Sequence, residues 1–299
     1  MTATELEKQF GLPSLLRFED TPGGLVRAVI TAAGAGADVY LQGAHLAHWT
    51  PSGQRPVLFT SAKSLFVPGK AIRGGVPIIF PWFGGREGGK PGPAHGFARS
   101  MPWTVESTQS GDDGAAGITL LLTANDATRG FGYGDFEVRF RLSVGAVLGM
   151  ELEVLNSSAA PLTYEEALHS YFSVADIGRT GVTGLEGTTF IDKTDGFQRK
   201  VQPDAPVRAA KETDQVHVNT TATCVVNDEA WNRRIVVEKS GSNSTVVWNP
   251  WIEKTAGMSD MAPDDWRGMI CVETANAADN AVTLAPGETH RLTTVIWVE

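Results

Sequence analysis

The sequence predicts an all-β protein built as an antiparallel sandwich or barrel, and three observations predict it. Short apolar runs rich in β-branched residues recur from end to end, Gly, Asp, Asn and Pro separate them, and helical periodicity is scarce. Many strands with few helices between them argue against a βαβ fold. In chain order, the one helical candidate is the acidic opening around Glu5 to Phe10. Leu25–Ile30 and Ala37–Leu41 follow as strands. Gly34-Ala35-Gly36-Ala37-Asp38, which lacks the third glycine of a dinucleotide fingerprint and has no helix after it, reads as the turn between them. Gly117–Leu122 is a short apolar strand, and Phe136–Leu142 alternates apolar with charged as a half-buried strand does. Leu152–Leu155, Arg234–Val237, Thr245–Trp248 and Arg291–Trp297 continue the series. No linker, repeat or low-complexity segment divides the chain, so one domain over residues 1–299 is expected.

Composition narrows the function classes. The 299 residues are 42% hydrophobic and 20% charged, a globular balance, and the 33 glycines and 16 prolines are scattered as turns require. A formal net charge of −9 argues against a nucleic-acid partner but leaves room for a small anion held by a few local arginines. Two cysteines, Cys224 and Cys271, suggest free thiols in a reducing compartment. The opening lacks the pattern of a secretory signal, and no apolar stretch of about 18 residues exists to span a bilayer. The expectation is a cytoplasmic protein, without membrane attachment, acting as a monomer.

Five segments place titratable or aromatic residues where packing alone does not want them. Arg73-Gly74-Gly75 leads into an apolar stretch with two prolines, a poor strand that suits irregular backbone presenting Arg73 at a pocket edge; a surface arginine beside a turn explains it equally well. His95-Gly96-Phe97-Ala98-Arg99 sets an imidazole near a guanidinium fork suited to phosphate or carboxylate. In Tyr164–Val174, read as a strand, His169 and Tyr171 share one face, opposite Leu168, Ser170, Phe172 and Val174. A lone histidine there is more often a core residue than a catalyst. Glu273 ends the apolar run Met269–Thr274, where an isolated carboxylate is costly unless paired, working or already past the strand end. Trp248-Asn249-Pro250-Trp251 reads as a turn presenting aromatic surface, either for a sugar ring or for the core. No zinc-ligand spacing, P-loop or nucleophile elbow is present.

Taken in order, these segments resemble the hexose-6-phosphate mutarotase branch of the aldose 1-epimerase superfamily. The resemblance rests on Arg73-Gly74-Gly75-Val76-Pro77, His95–Arg99, Leu168–Phe172, Trp248–Lys254 and Cys271-Val272-Glu273, with Gly184–Gly187, Asp192-Lys193 and Lys211–Asp214 between them. It covers roughly residues 20 to 299, and the ordered set is more specific than any one motif. It implies a large antiparallel β-sandwich of the galactose mutarotase-like kind, with the sugar in a cleft on one face. It also implies His169 as acid, Glu273 as base, and Arg73 and Arg99 on phosphate or sugar oxygens. His95 then sits beside the hydroxyls and Asp214 hydrogen-bonds the sugar, with Trp251 as the candidate stacking surface, and neither cofactor nor metal is needed. One departure is Ala94, where the family often has glutamine.

The residue types fit the chemistry. Opening a cyclic hemiacetal requires a base on the anomeric hydroxyl and an acid on the ring oxygen, and reclosure reverses both transfers. A carboxylate and an imidazole on opposite sides of the ring suffice, each proton transfer contributing about 10²–10⁴-fold. His169 would then be protonated near neutrality, which a carboxylate neighbour favours. Two alternatives stay open: a mutarotase for unphosphorylated hexose, and a carbohydrate-binding sandwich without catalysis. A glycosidase is less favoured because it calls for two cooperating carboxylates.

Overall fold

A computed structural model describes residues 1–299. The opening helix is Ala3–Phe10, fixed by a capping box in which Thr2 and Glu5 exchange side-chain and backbone hydrogen bonds. Most of the remaining regular structure is antiparallel strand. Leu16–Asp20, Val26–Ala32, Ala35–Tyr40 and His45–Pro51 form a four-stranded meander. One eight-stranded sheet runs through Thr180–Thr183, Cys224–Asp228, Arg233–Ser240, Thr289–Val298, Leu148–Asn156, Phe136–Val144, Ala116–Thr123 and Thr104–Ser110. The second runs through Gln198–Val201, Thr189–Asp192, Thr213–Val218, Ser244–Asn249, Met269–Asn276, Glu166–Leu168 and Ile78–Ile79, with Tyr171–Ser173 also paired to Met269–Asn276.

Alternation decides which way each sheet faces. In Phe136–Val144 the apolar positions are buried while Arg139 and Arg141 point outward to Glu151 and Glu153 of the next strand. The inner faces of both eight-stranded sheets, with Leu16, Phe18 and Ile30 of the meander, share one core of 57 buried residues, so the three sheets stand or fall together. Met269–Asn276 is buried along its whole length. Ile270 and Val272 enter that core, and Thr274 meets Thr294 of the facing sheet, Oγ1 to Oγ1, at 2.6 Å. Met269, Cys271 and Glu273 therefore point to the other side, away from the sandwich interior. Burying a valine or isoleucine contributes roughly 1.5–3 kcal/mol, which fixes the strand's orientation.

The run Tyr164–Val174 is not one strand but three short ones, Leu162–Tyr164, Glu166–Leu168 and Tyr171–Ser173. His169 and Ser170 interrupt it because the His169 and Tyr171 amides turn to Pro77 and Gly75 carbonyls. Register survives the break. Leu168 stands opposite Thr274 and Tyr171 opposite Cys271, which sets His169 opposite Glu273. No helix is long and apolar enough to cross a membrane, and both cysteines are free and buried.

Candidate active site

A cleft of about 280 Å³ opens on the outer face of the second sheet, and its walls come from segments spread along the chain from Arg73 to Glu273. Met269–Asn276 supplies Glu273, and the neighbouring His169 and Tyr171 come from the interrupted segment. Glu273 is not past the strand end: its side chain is 1% exposed. The His169 Nε2 lies 3.3 Å from Glu273 Oε1. That is direct contact between cross-strand neighbours, so the expected placement on opposite sides of a sugar ring is corrected. The two side chains stand side by side. O1 and O5 of a hexose are both bonded to C1, so an adjacent pair is compatible with reaching both. His169 Nδ1 and Glu273 Oε2 have no hydrogen-bond partner in the protein although both are buried, an expensive state unless a ligand completes it.

The electrostatics also correct an expectation. Burial, then the charges of His95, Arg99 and Arg73, pulls His169 well below the usual histidine range. Burial and the neighbouring Asp214 push Glu273 well above the usual carboxylate range. The neighbouring carboxyl is present, but desolvation outweighs it and the net direction for the imidazole is downward. Burial thus disfavours the charged form of both members of the pair.

The Arg73 segment is threaded between two others. Gly75 donates from its amide to Phe59 and its carbonyl accepts from Tyr171. A Cβ on Gly75 would lie 2.3 Å from the Leu46 carbonyl oxygen, with φ at +61°, so only glycine fits. Arg73 thereby reaches Tyr171, whose ring stacks on His169 at 4.8 Å and 12°. The loop bearing His95 and Arg99 is pinned similarly: Phe97 and Ala98 donate to the Phe80 carbonyl, and a Gly96 Cβ would fall 2.0 Å from that oxygen. His95 Nδ1 accepts from the Gly84 amide at 3.3 Å, which assigns the ring proton of neutral His95 to Nε2. Its ring lies 5.7 Å from that of His169. Ala94 lines the cleft and offers Arg99 its carbonyl at 2.8 Å, with no side-chain amide.

Asp214 lines the cleft from Thr213–Val218, paired at 3.2 Å with Lys193, and burial raises its pKa despite that partner. The cleft thus gathers Arg73, His95, Arg99, His169, Asp214 and Glu273. It does not gather Trp251, which packs on Trp266 at 4.4 Å, while Trp248 lines the cleft in its place. The reason is local: the Trp251 amide donates to Asn249 Oδ1 at the start of the helix Trp251–Ala256, turning that indole aside. Lys193, Lys254, Phe83 and Met258 also line the wall. Of these Lys193, beside Asp192, and Lys254, which closes the Trp248–Lys254 run, carried a signal through their motifs; Phe83 and Met258 sit in loops without periodicity. No group of three or more His, Cys, Asp or Glu side chains is placed to hold a metal ion.

The chain is similar to known proteins over most of its length. The family model for aldose 1-epimerase matches residues 27–297. A protein of Escherichia coli (strain K12) named "Putative glucose-6-phosphate 1-epimerase" is 40% identical over 244 residues, spanning 81% of this chain and 80% of its own length. One of the same name from Cenchrus ciliaris is 31% identical over 280 residues, spanning 91% of this chain and 84% of its own. The crystal structure of YeaD from Salmonella typhimurium, named a "putative mutarotase", superposes with a TM-score of 0.88 at 34% identity, covering 98% of this chain and 99% of that one. A galactose 1-epimerase from Lactobacillus acidophilus NCFM shares the fold, at a TM-score of 0.71 and 14% identity over 95% of this chain and 98% of its own.

Proposed function

The chain belongs to the aldose 1-epimerase family and is a mutarotase, and we propose that it acts on a hexose 6-phosphate, with His169 and Glu273 as the proton carriers. In this reading Glu273 takes the proton of the anomeric hydroxyl while His169 gives one to the ring oxygen. The ring opens, the aldehyde turns about its bond to C2, and reclosure returns both protons. The pair begins and ends with one proton, so no outside acid or base is consumed. An anion seated on Arg73 opposes one of the charges that pull the His169 pKa down. That moves the shared proton towards the imidazole and frees the carboxylate to act as base.

One observation carries the phosphate reading. Among the four cations of the cleft, Arg73 is paired with Asp260, Lys193 with Asp214 and Lys254 with Glu212, but Arg99 has only the neutral Ala94 carbonyl. A partly buried guanidinium without a counter-charge is costly to keep and well matched to a phosphate. A neutral hexose has no charge to offer it.

The test compares anomeric exchange of glucose 6-phosphate and of glucose by NMR. Arg99→Ala is expected to lower kcat/KM for the phosphorylated sugar by about 10²-fold, roughly the worth of a lost charge-assisted pair, and far less for glucose. Equal losses on the two sugars would point to an unphosphorylated substrate. Binding of the sugar without faster exchange would make the sandwich a binding module.

A further inference from the structure

Arg73 faces the cleft but is held from behind by a residue that no motif singled out. Asp260 Oδ2 lies 3.1 Å from Arg73 Nε, which donates to it, and 3.0 Å from Nη2. On the other side Nη1 donates to the Tyr171 hydroxyl at 3.0 Å. The guanidinium is gripped along its Nε–Nη2 edge and at Nη1, and its remaining N–H bonds have no acceptor in the protein. We infer that Asp260 is the positioning residue of the anion site: it aims the free N–H bonds of Arg73 into the cleft and so sets the preference for a phosphorylated over a neutral hexose. This rests on the hexose 6-phosphate reading above.

The loop carrying Asp260 is built to hold still. Met261 is buried against Tyr171, Trp248, Met269 and Cys271. Asp265 Oδ2 accepts from Ser61 Oγ at 2.6 Å and from the Ala262 amide at 2.7 Å. Ser61 in turn donates its amide to the Arg73 carbonyl at 3.1 Å, and the Arg73 amide donates to Ser64 Oγ at 2.7 Å. Backbone and side chain of Arg73 are therefore referenced to the same loop. The carboxylate also opposes binding, because its charge repels a phosphate. Two effects of opposite sign meet at Asp260, so the sign of its removal is decisive. Asp260 leaves the Arg73 pair electrically neutral, so Arg99 supplies net charge and Arg73 supplies direction. Side chains 21% and 22% exposed sit close enough to water for the repulsion to be screened, whereas a misdirected fork is not corrected by solvent.

Exchange kinetics on glucose 6-phosphate and glucose with Asp260→Asn, Arg73→Ala and the double variant test this, with thermal unfolding midpoints confirming that each is folded. Asp260→Asn is expected to raise KM for glucose 6-phosphate on the order of 10-fold, with a smaller change in kcat and a much smaller loss on glucose. The double variant is expected to be no worse than Arg73→Ala alone, because Asp260 acts through Arg73. An unchanged or lowered KM in Asp260→Asn, equal losses on both sugars, or additive losses in the double variant overturns the proposal. If Arg73→Ala itself affects both sugars equally, the phosphate reading fails and this inference with it; if Arg73→Ala is selective and Asp260→Asn is not, only the inference fails. Should Asp260→Asn not fold, Asp260→Ser is read on the same terms.

Discussion

At Glu273 a carboxyl group stands in the middle of a fully buried strand, where valine or alanine would be cheaper. Its Oε2, like Nδ1 of His169, has no partner in the protein. A residue that spends stability in this way is expected to return it in chemistry. Glu273→Gln keeps the shape, removes the proposed proton carrier, and is expected to slow anomeric exchange by at least about 10²-fold while sugar binding stays measurable by calorimetry. Near-normal turnover would remove Glu273 from its role. The candidate positions were legible one by one because each motif pairs a titratable residue with a sequence context unsuited to packing. Their charge states were not, since these depend on how far water is excluded, which no motif records. Asp260 was illegible for another reason: an aspartate in an irregular loop looks the same whether it faces solvent or grips an arginine.

Among the elements, Phe136–Val144 shows how alternation alone gives both a core face and a charged face. Glu153 on the adjoining strand is buried to 8% exposure and accepts from Arg141 at 3.0 Å and Arg291 at 2.7 Å. Burial by itself raises its pKa, but those two hydrogen bonds outweigh it and the net shift is downward. A carboxyl with a lowered folded pKa stabilises above its unfolded pKa, and that contribution is lost as pH falls through the folded value. Glu153→Gln is therefore expected to cost about 1 kcal/mol at pH 7, discounted because the arginines are partly solvated. The gap from wild type in urea midpoints should close under acid; a gap independent of pH would mean the loss is packing. The strand series was readable from period two, whereas the break at His169 was not, because the hydrogen bonds that cause it run to Pro77 and Gly75, about 90 residues earlier. Trp251 was misassigned for a similar reason: it begins a short helix that the aromatic spacing does not announce.

For the whole molecule, the two large sheets are joined across the sandwich by a polar bridge as well as by the core. Glu166 Oε1 accepts from Asn276 Nδ2 at 2.9 Å and lies 3.1 Å from His290 Nε2, which reaches from the facing sheet. The hydrogen bond to Glu166 raises the His290 pKa above 6.5. A histidine with a raised folded pKa stabilises fully below its unfolded value and loses that contribution as pH rises through the folded one. Wild type is expected to lose stability on passing from pH 6.5 upwards through that value, and His290→Gln to be flat over the same window in thermal unfolding. A matching slope in the variant would assign the effect elsewhere. The all-β class was plain from strand spacing, but strand order was not, because antiparallel sheets of similar strands admit many orders and only long-range contacts choose among them.

Since His169 and Glu273 face one another through strand pairing, a slip of a single residue would carry one of them to the opposite face. With the proposed roles of that pair, turnover is a gauge of correct joining between segments 166–173 and 269–276. In refolding, activity is therefore expected to return later than the fluorescence and compactness that collapse restores, and recovery of all three together would argue against this coupling.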